Sequence, residues 1–117
     1  MREEFGLDIE VKDKFVVVKS HGRLPESAGT IIEAAFAEKI GEGFTRFILD
    51  LGMVTTISSP VVASILDVAE KIVDGKAGRL VVTGLTDLNL KVFEMVGIFL
   101  YAEECPTLNE AEVQALM

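Results

Sequence analysis

The sequence predicts a small α/β domain built on a mixed, mainly parallel β-sheet with helical crossovers, in the order β-β-α-β-α-β-α-β-α. Three observations lead there. Two apolar runs near the start are separated only by a tight turn, strands and amphipathic segments alternate from Phe44 onward, and glycines close most segments. At 117 residues the chain can bury one core and is too short for two, so residues 1–117 are expected to form a single domain.

In the first run Leu7, Ile9 and Val11 alternate with Asp8, Glu10 and Lys12, the period of a half-buried strand. Asp13 and Lys14 form the turn, and Phe15 to Lys19 is a continuous β-branched run suited to a more central, antiparallel partner. His21 to Pro25 leaves that strand. Ser27 can cap a helix carrying Ile31, Ile32, Ala35, Phe36 and Ile40, which Gly41 and Gly43 end. The next twenty residues, Phe47 to Leu66, read FILDLGMVTTISSPVVASIL. They predict a buried strand over 47–51, a polar turn through Thr55, Thr56, Ser58 and Ser59, and a helix with Ser59 as N-cap and Pro60 as first residue. One face of that helix carries Val61, Val62, Ile65, Leu66, Val68, Ala69, Ile72 and Val73; the other carries Pro60, Ser64, Asp67, Lys71 and Asp74. After a glycine turn over 75–78 come a strand over 79–83, a Thr86-capped helix with Leu88, Leu90, Val92, Phe93 and Val96, and a stop at Gly97. A short strand over 98–102 and a capping box at Thr107 to Glu110 follow, the latter opening a helix with Val113 and Leu116 on its apolar side. Crossovers of this length make the later strands parallel.

Composition narrows the function. Eleven basic against nineteen acidic residues give a net charge of -8, which disfavours nucleic acid as a partner. No apolar run approaches the ~20 residues of a membrane span, and Met1 to Glu4 does not begin like a signal peptide, so a soluble protein of the cytoplasm is expected, without a membrane partner. Cys105 is the only cysteine and His21 the only histidine, which leaves no internal disulfide and no histidine-rich metal site. Nucleotide-cradling glycine loops are missing, and no cofactor is expected. Ser59, His21 and Asp50 supply the residue types of a hydrolase triad without its G-x-S-x-G turn, so no enzyme is expected. A serine hydroxyl where a strand hands over to a helix is the feature that remains. Helix starts tolerate negative charge, including phosphate.

The order of elements and the local motifs together resemble the STAS domain, within it the stand-alone bacterial anti-sigma factor antagonists. The likeness runs through FILDLGMVTTISSPVVASIL, GKAGRLVVTGL and LKVFEMVGI, and places Gly22-Arg23-Leu24 at the family's G-x-L-D. Ser58, Pro60 and Val61 stand where the family motif has aspartate, serine and glycine, and Pro25 replaces the aspartate of G-x-L-D. The resemblance implies a non-enzymatic regulator that binds an anti-sigma factor of the serine kinase type and releases a sigma factor. It makes Ser59 the phosphoacceptor, with Ser58 as the alternative. The partner surface it implies comprises Gly22, Arg23, Leu24, Ser58, Ser59, Pro60, Val61, Ser64, Asp67, Thr83, Gly84 and Leu85. A homodimer through Val61 and Val68, at the edge of the helix's buried face, is also open. The alternative is a STAS scaffold or small-ligand-binding module that works without phosphorylation.

Overall fold

Strand parity divides the molecule into two unequal layers. The computed structural model describes residues 4–117, so the reading of Met1 to Glu4 falls largely outside it. Its five strands are β1 (Gly6–Val11), β2 (Val16–Leu24), β3 (Arg46–Ile57), β4 (Arg79–Thr83) and β5 (Glu103–Cys105), arranged in that order in one sheet. β1 is antiparallel to β2 and all other neighbours are parallel. The helices are α1 (Ala28–Gly41), α2 (Ser59–Glu70), α3 (Asp87–Val96) and α4 (Leu108–Leu116). The mixed sheet and the order of elements therefore match expectation.

Successive strand residues point to opposite faces. Val16, Val18, Phe47, Leu49, Leu80 and Val82 enter the larger core, where α1, α2 and α3 supply Ile32, Phe36, Val61, Ile65 and Phe93. Phe15, Val17, Ile48 and Val81 face the other side, covered by Ala111 and Ala115 of α4. Among the described residues no helix is long and apolar enough to cross a membrane.

Several local expectations are corrected. Thr55 and Thr56 are strand residues rather than a turn: β2 continues past Lys19 to Leu24, and β3 keeps pairing with it through Gly22↔Val54, Arg23↔Thr56 and Leu24↔Ile57. Two register shifts each leave an extra residue on β3, a bulged ladder that twists as it extends. The segment after Gly97 is a 3₁₀ turn over Ile98–Leu100, and β5 starts only at Glu103. The Ala102 N–H bonds the Ile98 carbonyl at 2.9 Å, which brings both side chains to the core one helical turn apart. Ile31, Leu88 and Val96 are exposed.

On α4, Val113 and Leu116 face solvent while Ala111 and Ala115 are buried. The cause is at the helix end: Arg46 and Arg79, register partners on β3 and β4, donate from Nη1 to the Ala115 carbonyl (2.7 Å) and the Gln114 carbonyl (3.0 Å). Two cations thus hold the last turn to the sheet and complement the helix dipole. Only small side chains fit beneath a helix tethered so closely.

Thr86 and Thr107 cap as expected, accepting from Asn89 N (3.1 Å) and Glu110 N (3.2 Å). Ser27 occupies the N-cap of α1 but makes no side-chain cap bond. Cys105 is half-buried, and burial with neighbouring acidic groups, Glu104 foremost, pushes its thiol up from the ordinary range. Its alkylation by iodoacetamide at neutral pH is expected to be slower than that of a free thiol, and to reach the free rate in denaturant. Equal rates in the native protein would contradict this environment.

Candidate functional site

The C-terminal ends of the parallel strands form one rim, where α2 begins. The β2–β3 ladder runs on to Leu24 and Ile57 after β4 has stopped at Thr83, so the 84–86 loop lies beside the bend of β3. Gly84 has φ 81°, and a Cβ there would strike the backbone nitrogen and Cα of Gly52. The Gly52 N–H in turn donates to Asp50 Oδ1 at 2.9 Å. Asp50 is thereby a local backbone brace. No hydrogen bond joins it to His21 or Ser59 among the described residues, and the His21 ring instead lies over Gly6.

The N-cap of α2 is Ser58, one residue earlier than expected, and Ser59 is the first helical residue, with Pro60 second. The ladder sets this position. The Ser58 N–H donates to the Leu24 carbonyl (3.1 Å), which closes the β2–β3 pairing and leaves the Ser58 carbonyl to accept from Val61 N (3.0 Å) and Val62 N (3.3 Å). The Ser58 hydroxyl makes no cap: its Oγ is buried and without a hydrogen-bond partner. Ser59, by contrast, is exposed. Pro60 has no N–H and the next two amides are engaged, so a charge on Ser59 would meet the helix dipole and few free donors.

This arrangement reverses the usual effect of removing a cap. Ser58→Ala removes an unsatisfied buried hydroxyl and is expected to stabilise the protein by about 1 kcal/mol in urea unfolding. A loss of about 1 kcal/mol, the usual result at a working N-cap, would contradict the geometry.

The other residues of the expected surface divide by exposure. Arg23, Pro60 and Asp67 are exposed and Gly84 and Leu85 partly so, whereas Gly22, Leu24, Val61 and Thr83 are buried and shape the rim from beneath. Ser64 packs against α1: a Cβ on Gly29 would lie 2.5 Å from Ser64 Oγ. Val61 and Val68 are both buried, which removes them as a dimerisation edge. No cluster of metal-ligating side chains occurs among the described residues.

Sequence reasoning missed the groove beside Ser59. Val62, Ala63 and Leu66 of α2 and Val92 and Val96 of α3 line it together with Ser59, around a volume of about 210 Å³. A signal was present in the spacing of Leu88, Val92, Met95 and Val96, a stripe too wide to be wholly buried by one neighbouring helix.

No family model matches the chain, and no curated protein matches it. Solved structures do. An anti-sigma factor antagonist from Mycobacterium paratuberculosis superposes with a TM-score of 0.86 at 18% identity, covering 100% of this chain and 98% of that one. The Bacillus cell fate determinant SpoIIAA in its phosphorylated form gives a TM-score of 0.73 at 24% identity, covering 95% and 98%. A variant of RsbS from Moorella thermoacetica gives 0.75 at 14% identity, covering 95% and 98%. The matches span nearly the whole of both partners in each case. The fold of this chain is that of the STAS domain, as found in anti-sigma factor antagonists.

Proposed function

We propose that this protein is a non-enzymatic cytoplasmic regulator of the anti-sigma factor antagonist kind. It docks the α2 rim on an anti-sigma factor with serine kinase activity, which frees a sigma factor, and phosphorylation of Ser59 ends the docking. The observation that carries the proposal is the contrast between adjacent serines: the Ser59 side chain stands exposed on the first turn of α2, while the Ser58 hydroxyl is buried. A kinase can reach only the former without opening the fold.

A phosphate adds roughly -1.5 to -2 charge at neutral pH. At the start of a helix the dipole tolerates it, so the fold survives while a contact that must exclude water there does not. That one of the similar structures is a phosphorylated form supports the same reading. The groove beside Ser59, at about 210 Å³, is smaller than the ~300–1,000 Å³ of ordinary small-molecule sites, which at this rim favours a protein partner over a small ligand.

Intact mass and site mapping after incubation with ATP and anti-sigma-type kinases test the assignment. One phosphate is expected on the wild type and on Ser58→Ala, and none on Ser59→Ala. A phosphate that persists in Ser59→Ala would refute the acceptor, and no phosphate with any such kinase would refute the switch.

A further inference from the structure

Ser59, Ala63 and Leu66 follow one another along α2 at spacings of four and three, and Val92 and Val96 face them from α3. On α3, Leu88 and Met95 lie four residues before and three after Val92 and are 71% and 85% exposed. Scattered exposed apolar residues are ordinary on protein surfaces, but a stripe at helical spacing beside an apolar groove marks an interaction surface.

The charge around it is not neutral. Glu70, the last residue of α2, follows Leu66 by four residues and so continues the groove's own row. Glu70 is held in place, its Oε2 accepting from the Tyr101 hydroxyl at 3.3 Å. The row Ser59, Ala63, Leu66 and Glu70 along α2 therefore runs from a serine hydroxyl at one end to one acidic side chain at the other.

We propose that the α2–α3 groove receives an amphipathic helix of the partner protein, with aliphatic side chains at i, i+3 and i+4 seated on Leu66, Val92 and Val96 and with lysine or arginine over Glu70. The geometry is that of helix-in-groove recognition, with its direction set by charge. A second copy of this chain is the poorer occupant, because two chains of net charge -8 repel. The proposal rests on the reading above in taking the partner to be a protein that meets Ser59. It adds the reason a phosphate on that residue would act, since two charges at the open end of an apolar groove would have to lose their water when the helix seats.

An NMR titration of the full chain with a fourteen-residue leucine-lysine amphipathic peptide tests the groove without the natural partner. Amide shifts are expected at Ser59, Ala63, Leu66, Val92 and Val96. A peptide of the same apolar pattern with glutamate for lysine is expected to bind at least tenfold more weakly. Ala63→Arg and, separately, Val96→Arg place a bulky cation at exposed positions and are each expected to weaken the lysine peptide at least tenfold without shifting the thermal midpoint. Shifts centred elsewhere, equal binding of both peptides, or no binding at millimolar peptide would overturn the proposal. Kinase capture separates the two levels: capture unaffected by both arginine variants sinks the groove and leaves the Ser59 switch, whereas peptide binding without any phosphorylation does the reverse.

Discussion

Phe47→Ala is expected to destabilise the protein by about 3–5 kcal/mol. Phe47 is fully buried on β3, a strand paired on both sides, and its ring packs on Phe36 of α1 with centroids 5.3 Å apart at a 54° tilt. Truncation removes the transfer energy of an aromatic ring and leaves a cavity between sheet and helix that rigid strands cannot collapse. Against a total stability of about 5–15 kcal/mol for a domain of this kind, the loss is a large share. A urea midpoint lowered at unchanged slope measures it. A loss below about 1 kcal/mol would mean that the α1–β3 contact is not packed as described.

Gly84→Ala is expected to cost at least about 2 kcal/mol, an unusual loss for adding one methyl group to a loop. Two causes combine. The residue has φ 81°, where a side chain is strained, and its Cβ would meet the backbone of Gly52, which no rotamer change can relieve. Gly41→Ala is the control: its Cβ meets nothing within 4 Å at the end of α1, and a gain of up to about 1 kcal/mol is expected. Similar effects from both substitutions would contradict the close approach of the 84–86 loop to β3. The same contact shapes the rim near α2, so Gly84→Ala should also lower partner affinity where Gly41→Ala does not.

Much of the fold was legible because apolar period and turn residues agree along the chain. The half-burial of Leu7 and Ile9, the helical spacing of Val61, Val62, Ile65 and Val68, and the caps at Thr86 and Thr107 match the structure, whereas Val11 at the end of β1 is exposed. The failures share a cause, which is tertiary pairing that local sequence does not encode. Thr55 and Thr56 have turn-like polar neighbours, and they became strand because Arg23 and Leu24 lie alongside. Val113 and Leu116 form a plausible apolar face, and lost it to Ala111 and Ala115 because Arg46 and Arg79 hold the helix end from strands far away in sequence.

The site was legible in outline and shifted in detail. A serine at the strand-to-helix junction could be picked out from FILDLGMVTTISSPVV, but which serine caps depends on the Ser58 N–H reaching Leu24, a contact across the sheet. The α2–α3 groove was hidden for a related reason: Val92 and Val96 have the residue types of a core, and only the packed helices show how much of that stripe stays uncovered.

The most direct measurement is the affinity of the phosphorylating anti-sigma factor for the unmodified protein and for the protein carrying one phosphate on Ser59, compared by calorimetry. The phosphorylated form is expected to bind at least about 100-fold more weakly, a difference of roughly 2.7 kcal/mol, with its thermal midpoint unchanged. Equal affinity of the two forms would contradict a switch at Ser59.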